Sequence, residues 1–119
     1  MTLEQIIEAL ELELVTAGDG VVRPVSGGYA SDLLSFVMGH ARAGDIWVTL
    51  QAHANVVAVA GLVGLAAVII SEGQRPGPEM IARAEQEGVV LLATPKTTFT
   101  VVAELAALGL RGGTDGREP

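Results

Sequence analysis

Leu3, Ile6, Ile7 and Leu10 recur at i, i+3, i+4 and i+7, the spacing that gathers apolar side chains on one face of a helix. Thr2 and Gln5 stand at capping-box spacing before them, so a helix is predicted from the start of the chain, with Glu4 and Glu8 towards water. Leu12, Leu14 and Thr16 then follow a two-residue period, and Gly18-Asp19-Gly20 turns the chain towards Val21 to Val25. Pro24 has no N–H for a ladder, which assigns that segment to a sheet edge. Beyond it, Leu33, Leu34, Val37, Met38 and Ala41 mark a second helix, capped by Ser31 and closed by a left-handed Gly44.

From Asp45 the rhythm becomes regular. Apolar runs at Ile46–Leu50, Leu65–Ile70 and Val89–Ala93 alternate with helical segments at about Asn55–Val63, Pro78–Glu87 and Thr97–Leu108. Continuous apolar strands separated by helices imply a parallel sheet buried on both faces, joined by right-handed crossovers. The predicted fold class is α/β: a single small domain, a mostly parallel sheet flanked by helices, with a short edge hairpin or strand near the N-terminus. Residues 1–110 are expected to form this domain. Residues 111–119, which carry no apolar anchor, are expected to be a disordered tail.

The helix at Asn55–Val63 is apolar on every side, as in helices buried twice. One face belongs on the sheet. With 119 residues and 50% hydrophobic positions there is little left to cover the other, so packing against a second copy is expected, with Ala54, Ala58 and Gly61 allowing a close approach. The run from Asn55 to Ile70 has no charge but is short for a membrane span and is interrupted by Gly61 and Gly64. Neither a membrane partner nor a secretory signal is expected, since Glu4, Glu8, Glu11 and Glu13 precede any basic residue, and the expected location is cytoplasmic.

Charge and composition narrow the chemistry. A net charge of −7 opposes nucleic-acid binding. No cysteine is present, which removes disulfides, thiolate metal sites and thiol nucleophiles. The two histidines, His40 and His53, fall on different elements without an H-E-x-x-H pattern, so no metal or other cofactor is expected. His40 is placed to meet the carbonyls of its own helix, and Glu79, Arg83, Glu85 and Glu87 form the wet face of theirs.

The most informative stretch is Arg23-Pro24-Val25-Ser26-Gly27-Gly28-Tyr29-Ala30-Ser31-Asp32-Leu33-Leu34, continued by Gly44-Asp45-Ile46-Trp47-Val48-Thr49-Leu50-Gln51. It resembles the DRTGG domain family over about residues 1 to 110. The chain keeps Arg23, Gly27 and Gly28 of the name motif, with Ser26 where Thr is usual and Val22 where Asp would stand. The resemblance implies a small α/β domain found alone and inside larger proteins, including phosphotransacetylases and CBS-domain-containing pyrophosphatases. There it is an accessory or regulatory module with no established catalysis. The fold it implies is also similar to the N-terminal domain of HPr kinase/phosphorylase, yet no G-x-x-x-x-G-K-[ST] occurs, so a kinase is not expected.

From the residues themselves, Ser26-Gly27-Gly28 before a helix offers backbone N–H groups and a helix N-terminus to an anion, with Arg23 as counter-charge. Equally, the glycines could simply make the turn and Ser31 simply cap. A second candidate patch follows from topology, because ligands of open α/β sheets collect at strand carboxyl ends. Thr49, Gln51 and His53 follow the first regular strand, and Lys96, the only lysine, stands beside Thr94 and Thr97. Here too the plain alternatives stand: His53 or Asn55 starting a helix, a solvated Glu72, Thr97 as an N-cap. The leading expectation is a non-catalytic regulatory homodimer that binds a small anionic metabolite or nucleotide through Arg23, Ser26, Gly27, Gly28, Ser31, Thr49, Gln51, His53 and Lys96, and modulates a partner enzyme. The alternatives are a ligand-free interaction adaptor and a small hydrolase or transferase using His53 with Glu72 or Asp32.

Overall fold

The computed structural model describes residues 1–16, 18 and 20–112. Among these the order is α1 (Leu3–Leu10), β1 (Glu13–Leu14), β2 (Gly27–Ala30), α2 (Leu34–His40), β3 (Asp45–Thr49), α3 (Ala54–Val63), β4 (Ala67–Ile70), α4 (Pro78–Glu87), β5 (Leu91–Ala93) and α5 (Thr98–Ala107). The strands lie in the order β1-β5-β4-β3-β2, with β1 antiparallel to β5 and the others mutually parallel. The expected α/β class is observed. Most of the tail expected at 111–119 lies outside the described residues.

Side-chain alternation divides the core into two layers. Ile46, Val48, Ala67, Ile69 and Leu92 face α1 and α5, where Leu3, Ile6, Leu10, Val101 and Leu105 cover them. Trp47, Val68, Ile70 and Leu91 face the opposite layer, made by Val37 of α2, Val56, Val57 and Ala60 of α3, and Met80 and Ala84 of α4. Burial on both faces accounts for the unbroken apolar runs. The capping box of α1 is formed: Gln5 N–H donates to Thr2 Oγ1 at 3.3 Å, and Thr2 N–H donates to Gln5 Oε1 at 2.8 Å.

Three local expectations are corrected. Val21–Val25 is not the edge strand, because its carbonyls serve the orphan N–H groups of α1: Leu3 N donates to Arg23 O at 3.0 Å and Glu4 N to Val21 O at 2.7 Å. The outer strands are β1 and β2, and Gly27 and Gly28 of β2 are extended residues paired with Asp45 and Ile46, not a turn leading into a helix. Gly44 does not close α2, which ends at His40 with an extended C-cap at Ala41. Gly44, at φ 86°, makes the turn before β3. A Cβ there would lie 2.6 Å from the Ser26 hydroxyl just ahead of β2, and the left-handed backbone favours glycine.

The helix α2 is also shorter and wetter than its pattern predicts. Val37 alone of its residues is buried, while Leu33 before it and Phe36 and Met38 within it are exposed. Ser31 does not cap α2; its Oγ accepts from Leu33 N at 3.1 Å, one residue before the helix. In α3, Gly61 faces α4 of the same chain: a Cβ there would lie 3.3 Å from Glu87 Oε1. Leu62, in contrast, is 74% exposed. Among the described residues no helix is long and apolar enough to cross a membrane.

Candidate functional site

The carboxyl ends of β3, β4 and β5 bring Thr49, Ser71 and Thr94 together as buried hydroxyls. Each has a partner. Thr49 Oγ1 donates to Asp32 Oδ1 at 2.8 Å and accepts from Gln51 N at 3.1 Å, while the same Asp32 oxygen accepts from Leu50 N at 2.9 Å. Ser71 Oγ lies 2.6 Å from Thr98 Oγ1 and 3.4 Å from Thr49 O. Thr94 Oγ1 accepts from Lys96 N at 3.2 Å.

The charges at this end are also engaged. Glu72, in the left-handed region at φ 63°, places Oε2 2.8 Å from Thr98 N. The positive end of α5 therefore holds the chain's own carboxylate, and Thr97 caps it by accepting from Thr100 N. Lys96 Nζ donates to Leu10 O at 2.9 Å and to Glu104 Oε1 at 2.8 Å, tying α5 to the end of α1. Gln51 is half-buried beside this network, and His53 is exposed at the N-cap position of α3 without a side-chain cap bond.

The motif residues diverge. Arg23 Nε donates to Gly20 O at 2.8 Å and its NH1 to Ala66 O at 3.3 Å, directing the guanidinium to the amino end of β4. Thr49 stands at the other end of the sheet. Ser26 N donates to Gly44 O at 2.9 Å, and Ser31 O accepts from Trp47 Nε1 at 2.8 Å. Arg23 and Gly28 do not converge, because the intervening residues run from the α1 contact into the β2 ladder. His40 meets its own helix as expected, with Nδ1 2.9 Å from Phe36 O, and its ring stacks on Tyr29 at a centroid distance of 6.3 Å.

Open space lies elsewhere. A cleft of about 360 Å³ has Gly28 and Ala30 of β2 and Val48 of β3 as its floor, and Val102, Leu105 and Ala106 of α5 as one wall. The other wall is Leu110–Gly112, which crosses the outer edge of β2: Gly28 N donates to Arg111 O at 3.0 Å, and Gly28 and Gly112 form a parallel bridge. Of the nine residues expected to bind ligand, Gly28 borders this cleft. Ala30 and Arg111 were not anticipated. The available signal was two small residues, Gly28 and Ala30, on one face of a strand where Ile46 and Val48 stand beside them.

A second hollow, about 310 Å³, lies between Glu11, Glu13, Gly73–Arg75 and Ala93–Pro95. Two of its charges are paired across it: Arg75 donates to both oxygens of Glu13, at 2.5 and 2.8 Å. The guanidinium holds the Glu13 carboxyl below the usual carboxylate range, and the carboxylate raises Arg75 in turn.

The sequence pattern of the DRTGG domain matches residues 5–108. The chain belongs to the DRTGG domain family. No curated protein matches this DRTGG domain. A similar solved structure comprises the CBS and DRTGG domains of the regulatory region of Clostridium perfringens pyrophosphatase complexed with an activator, diadenosine tetraphosphate. It superposes with a TM-score of 0.74 at 19% identity, over 92% of this chain and 47% of that one. The DRTGG domain described here thus spans about half the length of that regulatory region.

Proposed function

We propose that this DRTGG domain is a non-catalytic regulatory module that binds a small anionic metabolite or nucleotide, acts as a homodimer and transmits occupancy to a partner enzyme. The observation that carries the reading is the separation of polar chemistry from open space. Thr49, Ser71, Asp32 and Glu72 are bonded to one another or to the backbone, whereas a cleft of about 360 Å³ is floored by Gly28, Ala30 and Val48. Such an arrangement suits holding a ligand rather than transforming it, since general acid–base work needs a titratable group within reach of the reacting atoms. Family membership and the resemblance to an enzyme's regulatory region support the same reading.

One observation favours an adaptor as the second reading. Both phenylalanines are exposed, Phe36 by 52% and Phe99 by 85%, in a chain with 3% aromatics. Exposed aromatic side chains are typical anchors at protein interfaces. Native mass spectrometry of the gently purified protein tests the two together. A dimer that retains AMP or diadenosine tetraphosphate supports the sensor. A bare protein that captures a purified CBS-containing pyrophosphatase supports the adaptor, and a bare monomer that captures nothing contradicts both.

A further inference from the structure

We propose that the cleft beside Gly28 is a binding site for a planar ring system carrying one anionic group, with Arg111 as its counter-charge. The proposal rests on the sensor reading and gives it a site.

Gly28 carries the first part of the argument. Glycine weakens a strand interior and is kept there when something must approach closely. Its φ is not in the left-handed region, and a Cβ at this position would stand 3.6 Å from Ile46 O and 3.7 Å from Ile46 Cγ2, both ordinary contacts. Neither backbone conformation nor crowding therefore demands glycine. The Leu110–Gly112 segment does not demand it either, because it meets Gly28 edge-on through a backbone hydrogen bond, while a strand side chain stands perpendicular to that edge. What the missing side chain leaves is floor space. With only a methyl at Ala30, the floor is nearly flush with the peptide planes of β2, and Val102 and Leu105 supply an apolar wall. A flat ring fits a slot of this form. The 360 Å³ volume takes a ring system with its anionic substituent towards solvent.

Arg111 carries the second part. Arg23 is spent on two carbonyls, and Arg75, Arg83 and Lys96 on carboxylates. The Arg111 guanidinium has no partner among the described residues, although the Gly28 bond to its carbonyl fixes its backbone at the cleft wall. In a chain of net charge −7, anions are repelled from most of the surface, and a cationic residue that lines an apolar slot without a side-chain partner among the described residues selects for one. A phosphate or a carboxylate would serve equally.

Calorimetric titration with AMP, indole-3-carboxylate and neutral adenosine tests the proposal and distinguishes the two anions. Wild-type protein is expected to bind one of the anions more tightly than adenosine. Gly28→Val fills the floor and is expected to weaken that anion at least about tenfold; Arg111→Gln, at an exposed position that cannot unfold the domain, is expected to weaken it about tenfold and leave adenosine unchanged. Gln51→Ala is expected to change nothing. If an anion binds and Gln51→Ala rather than Gly28→Val abolishes it, the sensor reading stands at the strand ends and the cleft assignment falls. If none of the three compounds binds wild-type protein, both fall. If Gly28→Val alters the oligomeric mass and no affinity, the cleft seats a second copy and the proposal is overturned.

Discussion

The carboxyl ends of the strands and the outer margin of β2 are two regions of one sheet that solve opposite problems. At the strand ends, buried Thr49, Ser71 and Thr94 face Asp32, Glu72 and Thr98, and every hydroxyl is paired. Beside β2, Gly28 and Ala30 lie against apolar helix and Arg111, whose side chain has no partner among the described residues, and the space stays open. The first region is rich in chemically capable residue types and uses them to hold loops together. The second is poor in them and retains room. Polar residues at a favoured position in a fold therefore do not make a site until their partners are counted.

The largest expected effect removes what the regions share. Trp47 on β3 is fully buried and donates to Ser31 O, with Val48 of the cleft floor and Thr49 of the closed end following it in sequence. Trp47→Ala is expected to cost about 3–5 kcal/mol, read as a lower urea midpoint, and to disrupt both regions together. Next, Thr49→Val keeps the shape but leaves Gln51 N–H without its acceptor and Asp32 with Leu50 N–H but without its hydroxyl donor. A loss of about 1–3 kcal/mol in urea unfolding is expected, with ligand affinity unchanged.

Gly28→Val sharpens the contrast from the other side. A β-branched residue suits the strand and the added Cβ meets only ordinary contacts, so stability should change by less than about 1 kcal/mol while binding is lost. A destabilisation as large as that of Thr49→Val would show that glycine is structural here. The smallest effect belongs to the exposed Glu13–Arg75 pair. Because Glu13 is held below the usual carboxylate range, its contribution is present above the unfolded-state value and is lost as pH falls through the folded one. Glu13→Gln should flatten the acid limb of thermal stability slightly at low salt and become indistinguishable from wild type in concentrated salt.

The parallel core was legible because strands buried on both faces leave continuous apolar runs, and helices α4 and α5 carry clear terminators and caps in Gly88 and Thr97. The segment 21–30 was not. Val21–Val25 has strand composition, but its carbonyls are claimed by the first turn of α1, a long-range demand that no local pattern displays. The glycine pair read as a turn because glycine is common in turns, whereas here β3 supplies a ladder that extends it. At the site, Arg23 and Lys96 were legible as cations but not as spent ones, since the carbonyls of Ala66 and Leu10 that hold them lie far away in sequence.

Backbone-amide NMR during parallel titrations with AMP and indole-3-carboxylate, read with whichever anion binds more tightly, tests the central claim most directly. The account predicts progressive shifts at Gly28, Ala30, Val102, Leu105 and Arg111, with Thr49–His53 and Thr97–Thr98 unmoved. Shifts confined to Thr49–His53 and Thr97–Thr98, or no shifts at any residue, would contradict it.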